Sequence, residues 1–217
     1  MHVAVVGAGF VGMPVIVEAL ARGHEVTVLL RDPAKLEARE RLKALRTDIR
    51  DTSALTQALR GQSVVINAWN PGRGVIAPDT FEQFVAGYRS IIAAARQAGV
   101  ERFLAVGGAA SLKVKSGLEF MDSDQFPKEF EPFRSSVRGT REQYYLLKSE
   151  SELDWVFLAP SVMLMPGART GRYRTGTDHV LYDENGVSQI SLEDYAVAMI
   201  DELEQPKHHR ERFTVGY

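Results

Sequence analysis

Apolar positions along this chain change period several times, and each change marks an element. HVAVVG (2–7) is a continuous apolar run closed by glycine, the pattern of a short strand buried on both faces. Val11, Val15, Ala19 and Leu20 then recur at helical spacing, with Gly23 as the stop. EVTVLL (25–30) predicts a second strand and KALRTD (43–48) a weaker third; Leu55 and Leu59, four apart, predict a short helix over 52–60. SVVINAW (63–69) predicts a fourth strand, β-branched and apolar throughout, as central parallel strands are. Phe81, Phe84, Val85, Tyr88, Ile91, Ile92 and Ala95 form one stripe of a long helix, with Gly99 as its C-cap. RFLAVGG (102–108) predicts the fifth strand. Residues 111–131 then show no clear period, and an unstructured loop of that length is usually functional or mobile.

Pro132 suits the first position of a helix over 132–150, and DWVFLAP (154–160) predicts a sixth strand. RTGRYRTGTDHVLYDENGVSQIS, starting at Arg169, predicts a small hairpin region with its turn at Glu184-Asn185-Gly186. Ser191 and Asp194 have capping-box spacing ahead of a helix over 192–204, and RFTVGY closes as a last strand. Strands alternating with helices imply an α/β fold: a doubly wound parallel sheet covered on both faces, of Rossmann type, with a small C-terminal hairpin insertion. No repeat or linker divides the chain, so 1–217 reads as one domain whose substrate side lies roughly at 161–190.

Composition narrows the function. A net charge of −2 supplies no basic field for nucleic acid. The absence of cysteine removes thiolate chemistry and the commonest zinc ligand. No run approaches the ~18 apolar residues of a membrane span, and the apolar start lacks the basic segment of a signal peptide. The expectation is a cytoplasmic enzyme, monomer or homodimer, acting on a small molecule without metal, nucleic acid or membrane.

Gly7-Ala8-Gly9-Phe10-Val11-Gly12 joins the first strand to its helix. Glycines there allow a tight turn, close approach of backbone to a pyrophosphate, and close helix–strand packing, while the helix amino end supplies an anion site. Pro14 disfavours helical geometry at Met13 and predicts a distorted helix start. At the tip of the second strand Arg31 precedes Asp32. An acidic residue at that point reads a ribose hydroxyl and an arginine a 2′-phosphate, so NADP(H) is favoured over NAD(H).

With VTVLLRDPAKL, TDIRD, VGGAASL, LDWVFLAP, RTGRYR and ISLEDYAVAMIDELE in this order, the chain resembles the atypical short-chain dehydrogenases/reductases of the NAD(P)H-binding, NADH-flavin-reductase-like kind. It is also similar to flavin/biliverdin reductases and to epimerase/dehydratase-like proteins. The resemblance spans essentially the whole chain. It implies that Asp48 and Ile49 lie beside the adenine and that Asn67 and Ala68 lie along the ribose. It places Gly107, Gly108 and the backbone at Pro160, Ser161 and Val162 near the nicotinamide. One departure is the single residue between Gly7 and Gly9, where many members have two.

Tyr144 and Lys148 have the Tyr-x-x-x-Lys spacing that is the catalytic dyad of short-chain dehydrogenases. In a helix starting near Pro132, however, Tyr144 lies about 18 Å along the axis at ~1.5 Å per residue, far from the cofactor edge. It also shares a stripe with Phe133, Val137, Thr140 and Leu147, which makes the pair structural. Phe133, Arg134, Ser135 and Ser136 lie at the cofactor end, and Ser111 at the tip of the fifth strand is the weak catalytic candidate that remains. Arg169 and Tyr173 are the substrate-side candidates; His208-His209 reads as surface, and no G-x-S-x-G hydrolase motif is present. The expected activity is NADPH-dependent hydride transfer to a small planar acceptor, flavin- or quinone-like, whose proton can come from water. The alternatives are a nucleotide-sugar epimerase or dehydratase, and a non-catalytic NADP(H)-binding redox sensor.

Overall fold

Ten strands and five helices follow one another in the computed structural model, which describes residues 1–71 and 77–217. The elements that build the sheet and its two covering layers are β1 (His2–Val6), α1 (Gly12–Ala21), β2 (Glu25–Leu30), β3 (Leu42–Arg46), α2 (Thr52–Leu59), β4 (Val64–Asn67), α3 (Thr80–Gln97), β5 (Arg102–Val106), α4 (Arg134–Lys148) and β6 (Asp154–Pro160). Beyond them come β7 (Met163–Met165), β8 (Arg174–Gly176), β9 (Gln189–Ser191), α5 (Leu192–Glu204) and β10 (Glu211–Gly216). Eight strands form one sheet in the order β3-β2-β1-β4-β5-β6-β10-β8, parallel except for β8, which runs antiparallel to β10.

The apolar runs explain this arrangement. Along β1, Val3 and Val5 face one core while Ala4 and Val6 face the other, so both sides of the strand are buried. Val15, Ile16 and Ala19 of α1 and Tyr195, Met199 and Ile200 of α5 fill the first core. Leu55 and Leu59 of α2, Ile91 of α3 and Leu147 of α4 fill the second. The strand order reverses direction between β1 and β4, the switch point beyond which ligands bind in open α/β sheets. Gly23 and Gly99, with φ of +85° and +71°, end α1 and α3 in paired bonds: Gly23 to Leu20 with His24 to Ala19, and Gly99 to Arg96 with Val100 to Ala95.

Four expectations change. Pro14 leaves α1 undistorted, because it sits in the first turn, where backbone N–H groups have no intrahelical acceptor. The stretch after Ser111 is packed rather than open: Leu112, Val114, Phe120, Met121 and Phe126 are buried, tied together by short 3-10 turns. Pro132 falls inside a 3-10 segment, Lys128–Phe133, and the α-helix begins only at Arg134. The expected C-terminal hairpin is not formed. A turn does close at 183–187, where Asp183 donates its N–H to Val187 O and Gly186 has φ +77°, but no paired strands flank it. β7 and β9 pair in parallel instead, and β8 adds to the edge of the main sheet. Segments of three residues pair where tertiary contacts bring them, beyond the reach of local pattern.

Candidate functional site

A cleft of about 540 Å³ opens beyond the carboxyl ends of β2, β1, β4 and β5. Its centre is the glycine loop, and the three glycines are required for different reasons. Gly7 has φ +93°, and a Cβ on it would meet the Trp69 Cα at 2.9 Å. A Cβ on Gly12 would lie 2.3 Å from the Gly7 carbonyl oxygen, so the helix can approach the turn only without a side chain. Nothing lies within 4 Å of the position a Gly9 Cβ would take, so its backbone is open to the cleft. A tight turn, an open approach and a close packing contact are the arrangement that receives a dinucleotide pyrophosphate. The loop achieves it with only Ala8 between the first two glycines.

At one end of the cleft, Arg31, Asp32 and Lys35 follow β2, with the Lys35 ammonium 3.6 Å from the Asp32 carboxylate. Thr47 and Ile49 adjoin them. A second cavity of about 420 Å³ continues from this end, sharing Arg31, Ile49 and Trp69 and reaching Asp48 and Arg50. Arg50 grips Asp48 through Nε at 3.1 Å and Nη2 at 2.9 Å, which holds the Asp48 carboxyl below the usual carboxylate range. The inner wall is aromatic. Trp69 meets Tyr88 at 5.6 Å and Phe84 at 6.2 Å edge-on, and its ring occupies the space over Gly87. At the other end Val106, Gly107, Tyr88 and Thr140 complete the lining.

Of the residues named from sequence, Gly7, Gly9, Phe10, Val11, Arg31, Ile49, Ala68 and Gly107 line the cleft, Asp48 lines the adjoining cavity, and Gly12 supports the loop from beneath. Gly108 abuts Thr140. Asn67 is buried, with its Oδ1 accepting from the Trp69 N–H at 3.2 Å, so it shapes the turn after β4 and does not face the cleft. Pro160, Ser161 and Val162 also lie off the lining: Pro160 pairs with Val215 of β10, and the polar groups of Ser161 and Val162 go to β10 and to Ser188. Ser161 donates both N–H (3.1 Å) and Oγ (2.9 Å) to Val215 O, and Val162 N–H donates to Ser188 Oγ.

Ser111 is 1% exposed and outside the cleft; its carbonyl accepts from Arg212 Nη1 at 2.6 Å. Tyr144 packs on Phe157 and Trp155, at 5.3 and 6.5 Å, with the Arg212 guanidinium 4.3 Å over its ring, while Lys148 ends α4 in solvent. Neither substrate-side candidate faces the cleft. Arg169 clasps Glu18 of α1 through Nε and Nη2 at 2.8 and 2.7 Å, and the Tyr173 hydroxyl donates to Asp201 of α5 at 2.5 Å. The chain after β7 folds back over α1 and α5, and these side chains secure it there. Glu18 is correspondingly acidic: hydrogen bonds from Arg169 and Arg22 outweigh the opposing effect of burial.

Trp69, Tyr88, Thr140 and Lys35 belong to the lining without having been singled out from sequence. One signal was available. A glycine inside a strongly amphipathic helix, Gly87, costs roughly 0.5–1 kcal/mol relative to alanine and so marks close approach by something large.

Residues 7–206 match the family model described as NAD(P)H-binding. A Bacillus subtilis (strain 168) protein, uncharacterized YwnB, is 36% identical over 219 residues, 99% of this chain and 98% of its own length. Two solved structures share the fold across the whole chain. An epimerase candidate from Bacteroides thetaiotaomicron is 44% identical with TM-score 0.89, covering 100% of this chain and 96% of that one. An NADH-flavin reductase candidate from Streptococcus pneumoniae TIGR4 is 32% identical with TM-score 0.83, covering 100% and 99%.

Proposed function

We propose, for a chain that belongs to the NAD(P)H-binding family, an NADPH-dependent reductase that passes hydride to a small planar acceptor, flavin- or quinone-like. The observation that carries this reading is the cation pair Arg31 and Lys35 at the carboxyl end of β2, beside a glycine loop shaped for a pyrophosphate. Two cations against the single Asp32 carboxylate leave that end of the cleft net positive, which suits a 2′-phosphate better than a bare ribose. The guanidinium can bind a phosphate through paired charge-assisted bonds, each worth roughly 1.5–3 kcal/mol.

When bound, the nicotinamide would supply the hydride. The chain's own work is to hold, orient and keep water from the reacting ring. Gly7, Gly9 and the amino end of α1 would hold the phosphates, Ile49 and Trp69 would supply apolar surface, and Gly107 lets Phe157 and the Leu158 carbonyl pack behind the cleft. An acceptor of the flavin or quinone class needs no acid from the protein. The likeness to the Streptococcus flavin-reductase candidate supports this acceptor class.

Arg31→Ala tests the cofactor half: NADPH affinity should fall about ten- to a hundredfold and NADH affinity little, and equal losses would refute the assignment. NADPH turnover with flavins and quinones tests the other half. Tight NADPH binding with no oxidation against any acceptor would leave a redox sensor in place of a reductase. The Bacteroides epimerase candidate supports a second reading, and net NADPH consumption separates the two, because an epimerase regains its cofactor each turnover.

A further inference from the structure

Two hydroxyl side chains line the β5 end of the cleft, and neither has a part in the reading above. Thr140 comes from α4 and Tyr88 from α3. Arg31 lies at the end of β2 and Gly107 just past β5, three strand spacings apart in the sheet, or about 14 Å at ~4.8 Å per step. That is the distance over which an extended dinucleotide separates its two rings, so the hydroxyls lie at the reacting end.

Their hydrogen bonding decides what they can offer. The Thr140 hydroxyl donates its one hydrogen to the Ser136 carbonyl, a turn back along α4, at 3.2 Å. Tyr88 is 2% exposed, its ring held against Trp69 and Phe84. With its own hydrogen committed to Ser136, the Thr140 hydroxyl has only its lone pairs to offer. The Thr140 methyl is turned toward Gly108, 3.0 Å from where a Cβ would stand there. Thr140 therefore enters the cleft lining as an acceptor, beside Gly107 and Gly108.

We propose that Thr140, its own hydrogen held by the Ser136 carbonyl, accepts a hydrogen bond from the carboxamide N–H of the bound nicotinamide and so selects which face of the ring meets the acceptor. This rests on the reading that the cleft holds NADP(H). Thr140 is the residue that touches the cofactor. A glycine at 108 is then explained as well, since any side chain there would press on the Thr140 methyl and turn the hydroxyl.

Calorimetric titration of the full chain with NADPH and with its 3-acetylpyridine analogue, in which a methyl ketone replaces the amide, tests the proposal without turnover. Thr140→Val should weaken NADPH about tenfold, the worth of one neutral hydrogen bond, and Thr140→Ser should restore it. The unsubstituted chain should bind the analogue about tenfold more weakly than NADPH, and Thr140→Val should add no further loss. Equal losses with both coenzymes, or none with either, would overturn the Thr140 assignment while leaving the cofactor reading intact. Failure of the unsubstituted chain to bind either coenzyme would overturn both.

Discussion

Placing a methyl group at position 87 puts the Trp69 wall to a test of sign. In a helix such as α3, alanine in place of glycine is ordinarily favourable by roughly 0.5–1 kcal/mol, because the unfolded chain loses freedom and the helix gains propensity. At Gly87 the added Cβ would lie 2.3 Å from two indole carbons of Trp69 and 3.1 Å from Ile49 Cδ1. Ordinary contact begins near ~3.5 Å, so the indole must retreat by about 1 Å. It has little room to do so, since the Phe84 and Tyr88 rings flank it at 6.2 and 5.6 Å. Overpacking of this kind costs about 1–3 kcal/mol, which outweighs the helix gain and predicts a net loss near 1–2 kcal/mol. Urea unfolding of Gly87→Ala against the unsubstituted chain measures it, and NADPH affinity should fall in parallel, because Trp69 and Ile49 both line the cleft. In a Trp69→Leu background the sign should reverse, with alanine stabilising. A stabilised Gly87→Ala single variant would refute the account of the aromatic wall.

Tyr144→Phe should leave hydride transfer unchanged and cost at most about 1 kcal/mol, since the ring contacts with Phe157 and Trp155 survive; a large fall in rate at unchanged stability would restore the Tyr-Lys dyad. Glu18 has its folded pKa lowered below the ordinary 4.5, so its stabilisation is complete above that value and is lost as pH falls through the lowered one. Glu18→Gln should therefore be less stable by about 2 kcal/mol at neutral pH and converge with the unsubstituted chain as pH falls through that lowered value; parallel pH curves would sink this. Gln143 is 0% exposed, and neither its Oε1 nor its Nε2 has a partner, so Gln143→Met should be neutral or raise stability. A loss above about 1 kcal/mol in thermal unfolding would count against that.

The central strands were legible because their information is local. HVAVV, EVTVLL and RFLAV are apolar on both faces, and only a parallel sheet covered by helices buries both. Where a residue's partner is remote, the same reasoning lost its hold. Ser191 caps α5 as its spacing implies: its Oγ accepts the Asp194 N–H at 3.0 Å and donates to the Ala168 carbonyl at 2.9 Å. The Asp194 carboxylate does not return to the Ser191 N–H. It accepts instead from the N–H groups of Thr170 and Gly171 and from the Tyr217 hydroxyl, all more than twenty residues away. Arg169 and Tyr173 failed as substrate ligands for the same reason, their partners Glu18 and Asp201 lying on helices that the sequence could not place beside them. Long polar side chains near a cleft are ambiguous until every neighbouring carboxylate has been located.

The cleft itself divides along this line. Each constraint on the glycine loop acts within a strand, a turn and a helix that are contiguous, so Gly7, Gly9 and Gly12 could be assigned their places from spacing alone. The β5 end of the cleft draws Val106 and Gly107 from the end of β5, Tyr88 from α3 and Thr140 from α4, and in sequence the last two are ordinary members of apolar stripes. A stripe reports which face of a helix is inward. It does not report whether the position lies under the sheet or at its open edge, and that depends on where the helix starts. The start of α4 at Arg134 places Thr140 two turns in, level with Gly108, and Tyr144 a further turn down against Phe157. A helix that started one turn later would carry Tyr144 to the level of Gly108 instead and make the Tyr-Lys pair a reasonable catalytic dyad. The 3-10 segment that ends at Phe133 therefore decides which hydroxyl of α4 the cleft receives, and the chemistry follows from that register.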